Sequence, residues 1–153
     1  QPVDFIAELL AAGVIEYAQL HGSEDAAYIE ALRKRTALLG KTAKIIKTVK
    51  VGSAADLENI SEIDCEYLLL DAWSKEGEAA GGNGRTFDWS LIKALEKPFF
   101  LAGGLTVDNV QQAVRMTSPY GIDASSCMET EDCKDLNKMK AFAQAVRVTE
   151  TNN

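Results

Sequence analysis

The stretch Phe99-Phe100-Leu101-Ala102-Gly103-Gly104-Leu105 decides how this chain folds. Its apolar first half is typical of a buried strand that begins after Pro98 and ends at the two glycines. Thr106 is then the predicted N-cap of a helix. A strand that ends in glycines and leads into a helix brings backbone N–H groups to one point, where they can bind a phosphate. An ordinary strand-to-helix turn has the same pattern, so the motif alone leaves both interpretations open.

Composition indicates one globular domain with an acidic surface. The chain has 153 residues, of which 46% are hydrophobic and 25% charged, and its net charge is −7. An acidic surface disfavours nucleic acid as a partner. No apolar run approaches the roughly 18 residues that a membrane span needs, and residues 1–5 lack the basic start of a signal peptide. We therefore expect a cytoplasmic protein with no nucleic-acid and no membrane partner.

Histidine and cysteine usage argues against metal or triad chemistry. Cys65, Cys127 and Cys133 show no CxxC spacing, so neither a metal site nor a disulfide framework is expected. His21 is the only histidine, and no Ser-His-Asp pattern is formed. Its two interpretations are a catalytic acid or base and a strand-end residue with a hydrogen-bonded ring, and the second is favoured.

Strand-like and helix-like segments alternate along the chain, which predicts an α/β fold of parallel strands joined by right-handed crossovers. Residues 1–148 are expected to form one domain, and 149–153 a frayed tail. The predicted strands are 16–20, 43–49, 67–70, a strand that starts at Phe99 and stops at the two glycines, and 121–124. The predicted helices are 5–14, 23–38, 53–60, 89–95, 109–116 and 136–146, with Ser23 and Ser53 as N-caps.

Ligands of parallel α/β proteins bind at the carboxyl ends of the strands. Asp71 directly follows three leucines, where desolvation would raise its pKa and let it act as a general acid. Capping of the following loop is the other interpretation, and the sequence does not separate the two.

Two further loops have phosphate-binding and purely structural interpretations. The turn Gly81-Gly82-Asn83-Gly84 can offer backbone N–H groups to an anion, or it is a surface turn. Ser125-Ser126-Cys127 follows the last strand and can form a second half of a phosphate cradle. Its alternative is a serine N-cap of a helical turn.

Five motifs in one order resemble the phosphoribosylanthranilate isomerase family over nearly the whole chain. Each motif is weak alone, but the series with its intervals is specific. The motifs are Gln19-Leu20-His21-Gly22, Leu68-Leu69-Leu70-Asp71, Gly81-Gly82-Asn83-Gly84-Arg85-Thr86-Phe87-Asp88-Trp89, Leu101-Ala102-Gly103-Gly104-Leu105 and Gly121-Ile122-Asp123-Ala124-Ser125-Ser126.

The resemblance implies units of a TIM barrel and an Amadori rearrangement of a phosphoribosyl substrate, with no metal and no cofactor. It implies that Asp71 is the general acid. It also implies that the substrate's phosphate binds at a set of backbone N–H groups. These belong to Gly82, Gly84, Gly103, Gly104, Ser126 and Cys127.

The sequence departs from the family pattern at two places. The family's general base is a cysteine in a Lys-Ile-Cys-Gly type motif on the first strand, and no such motif occurs here. The chain is therefore expected to start before the fourth strand, as a partial barrel of five strands. A homodimer or a complementing N-terminal fragment would complete it. Cys127 also stands where the family usually has glycine, so its side chain would crowd the phosphate if its φ were positive.

Two alternatives to an active isomerase remain at this point. One is a non-catalytic barrel fragment that still binds sugar phosphates. The other is an open-sheet α/β fragment with no activity. Strand order separates the last from a partial barrel, since a barrel keeps sequential strands as neighbours and a doubly wound sheet does not.

Overall fold

A computed structural model of the protein describes residues 1–72, 86–93 and 95–150, with side chains up to 147. Its centre is a five-stranded sheet in which every neighbouring pair is parallel and the order follows the chain, β1-β2-β3-β4-β5. This is the strand order of a barrel and not of a doubly wound sheet, so the predicted fold class is confirmed. The strands are β1 Ala18–Leu20, β2 Ile45–Val51, β3 Tyr67–Ala72, β4 Phe99–Leu101 and β5 Gly121–Ile122.

Four α-helices and four short 3₁₀ helices accompany the sheet in the described part of the chain. The α-helices are α1 Val3–Ala11, α2 Ala26–Leu38, α3 Val110–Thr117 and α4 Leu136–Glu150. The 3₁₀ helices are Ala54–Leu57, Ile60–Glu62, Trp89–Leu91 and Ser126–Met128. None of the described helices is long and apolar enough to cross a membrane.

The two faces of the sheet differ in their packing. Successive side chains of a strand point to opposite faces, and Leu68 and Leu70 of β3 are fully buried in the main hydrophobic core. The opposite face carries Tyr67, Leu69 and Asp71. On this second face an aromatic cluster crosses the strands, with ring centroids 4.7–5.7 Å apart. The cluster consists of Tyr17, Tyr67, Phe100 and Tyr120.

Two of the predicted N-caps are wrong, whereas the predicted N-cap Ser53 is confirmed. Asp25, not Ser23, caps α2, because its side chain accepts a hydrogen bond from Tyr28 N at 2.9 Å. Asn109, not Thr106, is the N-cap of α3. The predicted helix over 53–60 is two 3₁₀ helices, and that over 89–95 is the single turn Trp89–Leu91.

The chain after β5 also differs from expectation. A two-stranded antiparallel hairpin, β6 Glu129–Thr130 and β7 Cys133–Lys134, was not predicted. Its turn residues Glu131 and Asp132 have φ values of 50° and 59°, the left-handed conformation of tight hairpin turns that glycine and asparagine usually announce. The helix α4 continues to Glu150, four residues beyond its predicted end at 146.

Candidate active site

Asp71 lies at the carboxyl end of β3 on the face that carries the aromatic cluster. Its Cα is paired with that of Lys50 in β2, and the Lys50 ammonium forms an ion pair with Oδ2 of Asp71. The side chain of Asp71 is 26% exposed, against 45% for Lys50. The predicted acid therefore stands at the rim of the sheet, half-buried and accessible, with a cation beside it.

Gly103 follows β4 and lies directly against this carboxylate. Its φ is +85°, which favours glycine. A Cβ at this position would lie 2.6 Å from Cβ of Ala72 and 2.8 Å from Oδ1 of Asp71. The glycine at 103 is thus required twice, once by its own backbone and once by the space that Ala72 and Asp71 occupy.

Asn109 fixes the turn that contains Gly104, whose φ is +63°. The Asn109 side chain donates to the Gly104 carbonyl at 3.0 Å, and its Oδ1 accepts from Thr106 N at 2.8 Å. Sequence reasoning missed this role, although a side-chain acceptor three residues after a predicted cap can accept from the backbone N–H of that cap, as in a capping box. The helix α3 begins at Val110, within one residue of its predicted start at 109.

Ser125-Ser126-Cys127 follows β5, as predicted, and residues Ser126–Met128 form a 3₁₀ helix. Cys127 is not among the described residues with positive φ, so a side chain here adds no left-handed backbone strain. It is half-buried, and burial raises the pKa of its thiol. Ser125 is the N-cap residue of this turn, as the second interpretation expected, but its side chain makes no capping hydrogen bond.

Lys134 of the unpredicted hairpin reaches back to this turn. Its ammonium donates to the Ser125 hydroxyl at 2.6 Å, to the Ser125 carbonyl at 3.2 Å and to Oε1 of Glu129 at 2.5 Å. The hydrogen bond from Lys134 holds the pKa of Glu129 below its ordinary value. The loop after β5 is therefore tied to the hairpin through one lysine.

The sheet topology brings these predicted residues together at the carboxyl end of the strands. Asp71 and Gly103 are in contact, and β4 pairs with β5 through Phe100 with Gly121 and Leu101 with Ile122. The loops that carry Gly104 and Ser126 thus leave neighbouring parallel strands at the same end. Gly82 and Gly84 lie outside the described residues.

The remaining titratable candidates stand apart from this edge. Cys65 is buried before β3, and burial raises the pKa of its thiol, as expected for a packing residue. His21 is exposed after β1 and makes no hydrogen bond within the described part of the chain. The described residues contain no group of three or more His, Cys, Asp or Glu side chains that could hold a metal ion.

Comparison with protein families gives one match over most of the chain. Residues 1–145 match the family model described as N-(5'phosphoribosyl)anthranilate (PRA) isomerase. A protein named N-(5'-phosphoribosyl)anthranilate isomerase from Acetivibrio thermocellus is 41% identical over 149 residues, which are 93% of this chain and 66% of the relative. One of the same name from Caldanaerobacter subterraneus is 34% identical, covering 96% and 68%. The chain thus spans about two thirds of the length of these relatives.

Solved structures agree with the sequence comparison. The phosphoribosyl anthranilate isomerase of Thermotoga maritima superposes with a TM-score of 0.78 at 28% identity, over 97% of this chain and 69% of that one. An isomerase in complex with reduced 1-(o-carboxyphenylamino)-1-deoxyribulose 5-phosphate gives a TM-score of 0.71 at 27% identity, over 97% and 68%. Together with the strand order and the placement of Asp71 and Gly103, these matches establish that the chain belongs to the N-(5'-phosphoribosyl)anthranilate isomerase family of tryptophan-biosynthesis enzymes.

Proposed function

We propose that this chain supplies the general acid and the phosphate-binding side of an N-(5'-phosphoribosyl)anthranilate isomerase site. The observation that carries the proposal is the contact of Asp71 with Gly103 at the carboxyl end of a sequentially ordered parallel sheet. Active sites of barrel enzymes lie at this end. The relative solved with a reduced reaction product supports a phosphorylated sugar as the ligand class.

Asp71 is assigned the role of the general acid. Its proton passes to the ring oxygen of the ribose, the bond from that oxygen to C1 breaks, and the anthranilate nitrogen supplies the electrons of the resulting Schiff base. A general base then removes the C2 proton, and the enol formed relaxes to the aminoketose. Lys50, paired with Oδ2, leaves Oδ1 of Asp71 as the oxygen beside Gly103.

The phosphate is assigned to backbone N–H groups, which bind a dianion without a metal. The positive φ values of Gly103 and Gly104 give the turn a shape that brings backbone close to a ligand. Ser126 and Cys127 contribute backbone N–H groups from the neighbouring loop, at the carboxyl end of the paired strands β4 and β5. Gly82 and Gly84 complete the proposed set.

The general base is assigned to a complementing N-terminal segment, equivalent to the part of the relatives that this chain does not cover. The five-stranded sheet has β1 and β5 as its edge strands, and Tyr120 next to β5 is 65% exposed. Unpaired edges favour added strands. A second copy of this chain is the alternative occupant, and we propose a cytoplasmic location with no nucleic-acid partner.

The test is complementation. The chain is mixed with a fragment of the Acetivibrio thermocellus relative that contains the third of the sequence not matched here, and turnover of N-(5'-phosphoribosyl)anthranilate is followed. We expect turnover with both pieces together and loss of about 10²–10⁴-fold or more when the fragment that carries the base is omitted. Binding of a phosphosugar without turnover in the mixture would favour the non-catalytic alternative.

A further inference from the structure

We propose that Lys134 is a positioning residue for the phosphate, which holds the loop after β5 in the shape that presents the backbone of Ser126 and Cys127 to the ligand. The inference rests on the proposed function, because the phosphate-binding role of those two residues belongs to it. It adds the hairpin β6–β7 to the site, a part of the chain to which no role has been assigned above.

The contacts of the Lys134 ammonium carry the argument. An ammonium group has three N–H donors, and three acceptors surround this one: the hydroxyl and the carbonyl of Ser125 and Oε1 of Glu129. All three donors are therefore used within the protein. Because no donor of Lys134 is left for the ligand, we infer that this residue affects phosphate binding through the loop that it holds.

Ser125 is the residue through which Lys134 acts. Its carbonyl accepts from Met128 N at 3.0 Å, which closes the turn Ser125–Met128, and the same carbonyl accepts from Lys134. Its hydroxyl lies 3.3 Å from Oε1 of Glu129. Both polar groups of Ser125 are thus directed by Lys134 and its partner Glu129.

Hydrogen bonds hold the hairpin that carries Lys134 against the turn and the start of α4. Lys138 of α4 donates to the Glu129 carbonyl at 2.6 Å, and Asp135 N donates to the Met128 carbonyl at 2.8 Å. The Thr130 hydroxyl donates to Oδ2 of Asp135 at 2.9 Å. The turn, the hairpin and the start of α4 therefore form one hydrogen-bonded unit with Lys134 at its centre.

Charge alone does not explain this arrangement. Glu129 lies 2.5 Å from the ammonium, so the pair adds little net attraction for an anion. What the lysine supplies is pre-organisation: backbone donors that are already in place lose less conformational freedom when a ligand binds. Removal of the lysine is expected to weaken phosphate binding by loosening the turn.

The experiment uses the full chain, with inorganic phosphate as the probe. Amide NMR follows phosphate binding at Ser126 and Cys127, and hydrogen exchange is measured at the Met128 amide. Lys134→Met should weaken the affinity for phosphate about fivefold, because a loosened turn must be ordered again when phosphate binds, and it should speed exchange of the Met128 amide. Lys134→Arg should restore both. Lys140→Met, an exposed lysine of α4, removes the same charge away from the turn and should change neither.

Three results would overturn the inference. Unchanged phosphate affinity in Lys134→Met is the first. Weaker binding with unchanged Met128 exchange is the second, because the lysine would then act by charge. A wild-type chain in which Ser126 and Cys127 do not respond to phosphate is the third, and it refutes the proposed phosphate site as well. Should Lys134→Met fail to fold, Ser125→Ala removes one acceptor and must shift both readouts in the same direction.

Discussion

Gly103 lies so close to Asp71 that a Cβ on residue 103 would collide with the Asp71 carboxylate. The missing Cβ would lie 2.8 Å from Oδ1 of Asp71, and the φ of Gly103 is +85°. The contact joins the end of β4 to the end of β3, so the residue assigned to phosphate binding and the residue assigned to proton transfer are fixed relative to one another. This one relationship gives the site its geometry.

The first prediction separates the two reasons for glycine at 103. Gly103→Ala should lower the free energy of unfolding by about 3 kcal/mol or more, since a left-handed φ and a clash with β3 both oppose the methyl group. Gly40→Ala is the matched control, because Gly40 has φ +78° and open space around its missing Cβ. It should cost only about 1 kcal/mol. Equal losses in urea unfolding would show that the contact of residue 103 with Ala72 and Asp71 is not restrictive.

The second prediction concerns the Asn109 clamp on the Gly104 turn. Asn109→Ala removes the bonds to Gly104 O and Thr106 N, and should cost about 1–2 kcal/mol of stability. The same variant should weaken phosphate binding, because the turn loses its fixed shape. Asn109→Asp keeps the acceptor for Thr106 N and loses the donor, so its Thr106 amide should stay protected in hydrogen exchange. A fast-exchanging Thr106 amide in Asn109→Asp would refute the role given to Oδ1.

The third prediction concerns pH. Glu24 accepts from Gly22 N at 2.9 Å and pairs with Lys47 at 3.4 Å. Burial acts to raise the pKa of Glu24, but the backbone N–H bonds and Lys47 outweigh it and hold the pKa below its ordinary value of 4.5. A carboxylate with a lowered folded-state pKa stabilises the fold above the unfolded pKa, and the contribution is lost as the pH falls through the lowered value.

Glu24→Gln should therefore be less stable than the wild type near neutral pH. Its free energy of unfolding should also fall less than that of the wild type as the pH drops below 4.5. The measurement is the urea midpoint at about pH 7 and at about pH 3. Glu58→Gln serves as the control, because Glu58 is exposed and forms no ion pair within the described residues. A wild type and a Glu24→Gln variant with parallel pH profiles would contradict the account.

Much of the architecture was predictable because strong local patterns agree with the tertiary fold. The apolar run at Leu68–Leu70 becomes the buried centre of β3, and Phe99–Leu101 becomes β4. The position of Asp71 after the leucines places it at the sheet edge in any parallel arrangement. Sequential strand order then follows from the resemblance of the motifs to a barrel family.

The two misplaced N-caps have a common cause. Ser23 and Thr106 are good capping residues, but Asp25 and Asn109 lie close behind them and make the loop or cap bonds instead. The choice between two nearby polar residues depends on the path of the loop, which local sequence does not reveal. The hairpin was missed for a related reason, since Glu131 and Asp132 adopt positive φ without the glycine that would mark such a turn.

The partners of the site residues were also beyond the sequence. Lys50 is twenty-one positions from Asp71, and only the register of β2 against β3 places them side by side. Lys134 meets Ser125 only because the hairpin folds back on the turn. Lys50 directly follows the predicted strand 43–49 and is therefore expected at the same end of the sheet as Asp71, whereas nothing in the local sequence distinguishes Lys134 from an ordinary surface residue.

The most direct test of the central claim is Asp71→Asn in the complemented chain. We expect turnover of N-(5'-phosphoribosyl)anthranilate to fall by about 10²–10⁴-fold or more, because the amide cannot supply the proton. The affinity for inorganic phosphate should stay within about twofold of the wild type, since the backbone cradle is untouched. Full turnover in Asp71→Asn would contradict the assignment of the acid, and with it the role given to this end of the sheet.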